Sequence, residues 1–325
     1  MRTTTVSVGA LPLCHLFDFS FKNEQLPDCW KMATVTPIFK QGKTSEPSNY
    51  RPISLTSNCC KVMERIINNS LLKYLLCNSL ITANLHGFIK NRSTCGNILE
   101  CLEDWVMNIE SRSITDVVFV DFKKAFDSVS HAKLVMKLKA YGISGNLFGW
   151  INSFLSGRSQ SVKIGSVLSS YLSVLSGVPQ GSVLGPTLFI LFINDVVDCF
   201  KNLSVCTKLF ADDLKLYSSY SAMSTSDDLQ NALDCLYLWA IKWQLQINFD
   251  KCKTLRISKA VKPMEPKKFY NINTEQLELV SEAKDLGLTV DSHLKFDKHV
   301  AKIVHTAHQR AALILKCFES RDKIY

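Results

Sequence analysis

From Cys59 to Leu76 apolar residues return at steps of three and four, at Val62, Met63, Ile66, Ile67, Leu71, Leu72, Leu75 and Leu76. That spacing predicts an amphipathic helix. The rhythm then changes. V-V-F-V at 117–120 is an unbroken β-branched and aromatic run ending at Asp121, the pattern of a strand buried on both faces that carries an acid out at its C-terminal end. Further along, a helix is expected over His131 to Ala140, stopped by Gly142, and S-V-K-I-G with Y-L-S-V-L predicts a hairpin at 161–175. A helix follows over about Gly185 to Val197. In L-F-A-D-D-L-K-L-Y, residues 209–217, two short apolar runs read as the arms of a hairpin with Asp212 and Asp213 at its tip. A helix over about Thr225 to Trp243 and the strand T-L-R-I-S at 254–258 complete this stretch.

The segment A-V-K-P-M-E-P-K-K, 260–268, holds two prolines and three lysines and reads as a boundary or exposed loop. Beyond it Asp297 is expected to cap a helix whose apolar positions are Val300, Ile303, Val304, Ala307, Ala311, Ile314 and Phe318. Strands and helices mix without a regular alternation, so the expected class is α+β. No internal repeat suggests a solenoid.

Composition narrows the function more than the fold. At 325 residues the chain can bury a sizeable core, in two lobes or one unit, and 46% hydrophobic with 21% charged residues is an ordinary globular balance. The net charge of +9 comes from Lys and Arg spread along the whole length, which favours a polyanionic partner. Twelve cysteines are scattered with no C-x-x-C pair, so they read as reduced, mostly buried small hydrophobes of an intracellular protein. L-P-L-C-H-L-F near the N-terminus lacks a cleavage pattern, and L-F-I-L-F-I at 188–193 is too short to span a bilayer; neither a signal peptide nor a transmembrane segment is expected.

The adjacent acids raise the chemical question. Two carboxylates at a hairpin tip repel unless a cation joins them, and Mg²⁺ suits hard oxygen ligands completed by water and phosphate oxygens. Asp121 is the natural third ligand if its strand lies beside the hairpin. Two bridged ions would align a hydroxyl and a triphosphate for in-line displacement. A solvated turn is the plainer reading of D-D by itself.

The surrounding motifs change that weighting. V-F-V-D-F-K-K-A-F-D, S-G-V-P-Q-G-S-V-L-G-P and L-F-A-D-D, in that order, resemble the reverse transcriptases of non-LTR (LINE-like) retrotransposons. Upstream, L-P-D-C-W-K-M-A-T-V-T-P-I-F-K, S-N-Y-R-P-I-S-L-T-S and H-G-F-I-K-N-R-S-T look like earlier blocks of the same family; I-N-F-D-K and K-D-L-G-L-T-V-D look like later ones. The resemblance runs from about Leu11 to the C-terminal helix.

It implies a right-hand polymerase: fingers over 1–115, a palm over 116–260 with a ferredoxin-like sheet, and over 261–325 a primer-supporting hairpin with the start of a truncated thumb. It also implies an RNA template, a DNA primer, dNTPs and two Mg²⁺ ions, with Mn²⁺ as a possible substitute. Asp121, Asp212 and Asp213 match the metal carboxylates. Phe126 matches the bulky side chain under the sugar, whose ring would exclude a 2′-hydroxyl. With Ala211, where RNA-copying RNA polymerases carry glycine, it argues for making DNA.

Gly177, Gln180 and Gly181 match the loop supporting the incoming nucleotide, and Lys40 and Arg51 the cations holding its triphosphate, with Lys43 a poorer match. Lys251 matches the lysine that protonates pyrophosphate, though Lys253 is close by. Asn91 and Arg92 match template-backbone contacts, and Leu286 and Gly287 the hairpin supporting the primer terminus. Asp127 is expected to be structural, and His299, His305 and His308 to be helix-surface or phosphate-facing rather than zinc ligands. The alternative is a truncated, inactive remnant that at most binds nucleic acid.

Overall fold

In the computed structural model, which describes residues 4–221, 227–259 and 269–318, V-V-F-V lies within the strand Ile114–Val120. This strand is the centre of a five-stranded sheet in the order Glu278–Val280, Lys253–Ile257, Ile114–Val120, Asp213–Tyr220, Cys206–Phe210. Its two neighbours run antiparallel to it, and only the edge strand Glu278–Val280 pairs in parallel, with Lys253–Ile257.

The unbroken apolar run has the expected cause, because both faces of the sheet are covered. Val118 and Val120 point into the larger core with Leu214 and Leu216, while Val117 joins Cys101, Trp105, Tyr217, Leu255, Ile257 and Val290 in a smaller one. Each such aliphatic side chain contributes about 1.5–3 kcal/mol by leaving water. The larger core is closed by the helix Gly185–Ile193, buried at every residue but Pro186, and by Asp228–Trp243, which turns Leu229, Ala232, Leu233, Leu236 and Trp239 inward. The helix Thr94–Glu110 lays Cys101 and Trp105 on the smaller core.

A second sheet pairs Tyr50–Leu55 with Met32–Phe39, and Met32–Phe39 in parallel with Ser159–Ile164. The chain does turn back over the expected 161–175, but with a different pairing: Lys163 and Ile164 pair antiparallel with Val167–Leu168, and Leu172–Ser173 pair with Ser159 and Gln160 rather than with S-V-K-I-G. The mixed arrangement is α+β, as anticipated.

Several elements match their expected bounds: His131–Ala140 is helical, with Gly142 just beyond at φ 78°. Asn58–Cys77 is helical and opens on Ser57, whose hydroxyl accepts from the Cys60 amide. Four details differ. Val62, Ile66 and Leu76 are exposed, so only the Cys60, Met63, Ile67, Leu71, Leu75 stripe packs inward. The helix after Gly185 ends at Ile193 and continues as a 3₁₀ stretch, Asn194–Phe200.

Asp297 does not cap its helix, since Phe296 holds the N-cap position at φ 60° and Asp297 is the first residue of Asp297–Cys317, where its charge complements the helix dipole. The cysteines are all free, but seven of the twelve are exposed, and only Cys60, Cys101 and Cys252 are buried, because the exposed ones sit on the outward faces of helices or, for Cys206, at the start of an edge strand. The 260–268 segment and the expected start at Thr225 lie outside the described residues. No helix among the described residues is long and apolar enough to cross a membrane.

Candidate active site

Strand pairing brings the three acids to one end of the central sheet. Val120 pairs with Leu214, so Asp121, one residue later, and Asp213, one residue earlier, are neighbours across adjacent strands. Phe210 pairs with Asp213, leaving Ala211 and Asp212 as the two-residue turn, with Ala211 at φ 57°. A two-residue hairpin turn needs such left-handed backbone, and alanine accepts it at a cost.

The turn is braced from outside. Leu209 receives the His86 amide on its carbonyl at 2.9 Å and donates to the Asn84 carbonyl at 2.9 Å. A Cβ on Gly87 would lie 2.3 Å from the Ala211 nitrogen, so only glycine lets that segment approach so closely. Asp121 is held from the other side. The Asn248 amide donates to its carbonyl at 2.8 Å, and Asn248 Nδ2 donates to its Oδ1 at 3.0 Å.

The electrostatics are those of crowded acids that the nearby cations only partly offset. Burial is the largest influence on Asp212 and raises its carboxyl above the usual range; Asp121 adds to this, while its own backbone amide, Lys40 and Arg51 pull it back down. Asp213 keeps part of its surface open to solvent, yet the protein packed around its carboxyl, then Asp212, Asp285 and Asp121, push it up to about 6, with Lys215 opposing. As they stand, no three His, Cys, Asp or Glu side chains among the described residues converge tightly enough to enclose a metal ion. The donor chemistry nonetheless fits a divalent cation. Three hard carboxylates share one end of a sheet, and a cation would offset the burial and the repulsion that together raise Asp212 and Asp213.

Facing the acids, Lys40 follows the strand Met32–Phe39 and Arg51 pairs with Ile38 on the neighbouring strand, both exposed. Phe126 is half-buried, stacked on Phe189 at 4.2 Å between ring centres and edge-on to Phe88 at 6.0 Å, which holds its ring plane in place. Gln180 is fixed twice: its carbonyl accepts from the Ser54 amide at 2.7 Å, and its Nε2 donates to Asp127 Oδ1 at 2.8 Å. Asp127 is thus bound to Gln180, in keeping with a structural role. Gly181 sits at φ 107° with the Ser54 carbonyl only 2.6 Å from where a Cβ would be. Gly177 takes the His131 imidazole on its carbonyl at 2.7 Å and donates its amide to the Val129 carbonyl. Between the second sheet and the segments holding Lys124, Asp127 and residues 177–180 opens a cavity of 310 Å³ whose lining includes Ser54, Arg158 and Gln180.

The two candidate lysines separate cleanly. Lys251 Nζ is exposed and 3.9 Å from Asp121 Oδ1, whereas Lys253 is paired with Glu278 on the edge strand. Asn91 is exposed at φ 66°, but Arg92 does not point its Nη1 outward: it donates to the carbonyls of Ala83 at 2.7 Å, Thr82 and Leu85, tying down the segment that braces the acid turn. Leu286 and Gly287, at φ 46° and 97°, form the turn between Glu282–Asp285 and Leu288–Asp291. His299 accepts from the Thr289 amide at 3.3 Å, linking the last helix to this hairpin, and His305 pairs with Gln309.

Asn248, Lys215, Asp285 and Asn97 were not singled out by residue patterns, although Asn248 and Asp285 stand inside I-N-F-D-K and K-D-L-G-L-T-V-D. Lys215 left one signal, a charged residue inside the apolar arm L-K-L-Y.

Three comparisons bear on this arrangement. The family described as reverse transcriptase (RNA-dependent DNA polymerase) matches residues 38–290. Among curated relatives, the chain is 30% identical over 315 residues to the probable RNA-directed DNA polymerase from transposon X-element of Drosophila melanogaster, covering 95% of this chain and 34% of that protein. It is 31% identical to the corresponding protein from transposon BS of the same species, covering 92% and 34%, and 30% identical to the RNA-directed DNA polymerase from mobile element jockey of Drosophila funebris, covering 97% and 35%. The chain therefore spans about a third of the length of these relatives. Among solved structures, apo telomerase from Candida tropicalis, truncated from its C-terminal domain, matches with a TM-score of 0.55 at 12% identity, over 84% of this chain and 55% of that one. The fold is thus that of a polymerase of the reverse-transcriptase kind, and the chain belongs to the reverse transcriptase (RNA-dependent DNA polymerase) family, with its relatives among the non-LTR retrotransposons.

Proposed function

We propose that this chain is an RNA-directed DNA polymerase domain that extends a primer 3′-hydroxyl with dNTPs on an RNA template. The observation that carries the reading is the placement of Asp121 beside Asp212 and Asp213 across adjacent strands, with Lys40 and Arg51 facing them. In this reading residues 1–115 are fingers, 116–260 palm, and 261–325 the primer-supporting hairpin with the start of a thumb.

The three carboxylates would hold divalent cations, two Mg²⁺ with Mn²⁺ as a substitute, which when bound neutralise the triphosphate and lower the pKa of the primer hydroxyl. The chain's own groups do the rest. Lys40 and Arg51 bind the triphosphate oxygens, Arg51 in a two-pronged manner. Phe126, its plane fixed by Phe189, lies under the sugar and blocks a 2′-hydroxyl. Gln180 and Gly181, anchored through Asp127 and Ser54, support the base. Lys251 gives a proton to the leaving pyrophosphate, since it is exposed and not committed to a neighbouring strand as Lys253 is. The template backbone runs past Asn91, and the primer end rests on Leu286 and Gly287.

The test is primer extension on an RNA template with dNTPs and Mg²⁺, comparing the chain with Asp212→Asn/Asp213→Asn. Extension by the parent alone supports the reading. Binding of template and primer by both folded proteins, with extension by neither, overturns it in favour of a remnant that only binds nucleic acid.

A further inference from the structure

Behind the acid turn lies an ion pair that the proposed reaction does not use. Along Asp213–Tyr220 side chains alternate, so Asp213, Lys215 and Tyr217 share one face, and Tyr217 shows that this face packs on the smaller core. Lys215 is a cation where an apolar residue is expected, with its side chain 2% exposed. Its ammonium donates to Asp285 Oδ2 at 2.7 Å and to Asn97 Oδ1 at 2.6 Å. Asp285, 4% exposed, is the last residue before the Leu286–Gly287 turn. Asn97 in turn donates to the Leu209 carbonyl at 3.2 Å, on the strand leading into the acid turn. A single buried ammonium thus joins both arms of the acid hairpin to the hairpin that presents Leu286 and Gly287.

The chemistry at this joint is more specific than stability requires. Burying an ion pair costs both partners their hydration, and apolar residues of similar volume are commonly as stable or more so. What the pair adds is direction. Asp285 and Asp213 lie on the same side of the sheet and repel, and Lys215 is the cation that offsets both. Removing it leaves Asp285 buried and uncompensated, so the Leu286–Gly287 turn must shift to find water. That turn is the less self-supporting partner: its two residues hold positive φ, leucine there is unfavourable, and a Cβ on Gly287 would meet nothing within 4 Å.

We propose that Lys215 and Asp285, with Asn97, are positioning residues that set the distance between the primer-supporting turn and the metal carboxylates, and so place the primer end rather than the nucleotide. The inference rests on the polymerase reading for its consequence, while the geometric link stands apart from it.

Three variants of the full chain test it: Lys215→Met, Asp285→Leu, and the two combined. The combined variant, which leaves no buried charge unpaired, keeps the fold measurable even if a single variant unfolds. Two readouts separate the ideas. The first needs no activity: amide hydrogen exchange across 282–291 should rise by about tenfold or more in the combined variant at unchanged thermal midpoint. The second is steady-state extension, where kcat/KM for primer–template should fall by about tenfold while KM for dNTP stays within about twofold. Parent-like exchange at 282–291 in a folded combined variant overturns the proposal, as does an equal loss for primer and dNTP. If the parent extends no primer, the polymerase reading fails, and the exchange measurement alone decides whether the pair holds the turn.

Discussion

The strand Ile114–Val120 has acids at both ends, and the fold treats them in opposite ways. Near its start Asp116 is fully buried and answered on every side: Arg256 donates to its two oxygens at 2.7 and 2.9 Å, Tyr220 at 2.9 Å and Tyr270 at 2.8 Å. Just past its end Asp121 faces Asp212 and Asp213: it adds to the burial that raises both of their carboxyls, Asp212 raises Asp213 further, and the nearby cations only partly offset this. A carboxylate that serves the fold is neutralised by the fold. One that is left among like charges is poised for something the chain itself does not supply, and this difference, more than the presence of acids, distinguishes a site from a strut.

The sharpest way to break the comparison is to neutralise each end in turn. Asp212→Asn/Asp213→Asn should lower primer extension by at least about 10³-fold while leaving the thermal midpoint equal or higher, because repulsion is removed. Loss of activity with loss of stability would make the acids structural. Asp116→Ala should do the reverse in kind: it removes the buried carboxylate that accepts from Arg256, Tyr220 and Tyr270, and urea denaturation should report about 3–5 kcal/mol less stability. A cost below about 1 kcal/mol would mean the Asp116 cluster is no tighter than a surface pair.

A smaller effect is expected at Gly87. An alanine there meets the Ala211 backbone nitrogen, so Gly87→Ala should cost about 1–3 kcal/mol and displace the acid turn, seen as a loss of extension larger than the loss of folded protein.

The smallest effect is in pH. Asp213 has a folded value raised to about 6, so its carboxylate is disfavoured by the fold; the associated penalty is absent below the ordinary range near 4, grows as pH rises through 6 and is constant above it. The thermal midpoint measured with chelator should therefore carry a downward component between pH 4 and 6 that Asp213→Asn lacks. Added Mg²⁺ should raise the parent's midpoint more above pH 6 than below it. A Mg²⁺ effect independent of pH, or retained in Asp212→Asn/Asp213→Asn, would place the cation elsewhere.

Much of this was legible in the residues because local rules govern it. The two-sided burial of Val117, Val118 and Val120 follows from an unbroken apolar run, and the acid turn from two polar residues between apolar arms. His131–Ala140 ends where a glycine can take a left-handed conformation. Motif order gave the family without any geometry. Other features were hidden because they depend on what lies across space. Arg92 carries the same sequence signal whether its guanidinium meets a phosphate or, as here, the carbonyls of Thr82, Ala83 and Leu85. Asp297 looks like a cap until the preceding residue takes that position. The cysteines resembled core residues, but which helix face is covered is decided by neighbours.

What the sequence by itself determined is the set of short-range elements, their order, and the family to which the ordered motifs belong, since these depend on side-chain period and on residue types at fixed spacing. What only the tertiary structure decided is pairing. It joined Asp121 to Asp213 through strand register, separated Lys251 from Lys253 by giving the latter a partner, and brought Lys215 to Asp285 across 70 positions of chain. Charge interactions act through space and are set by burial and partner, and neither is written in the spacing of residues along one strand.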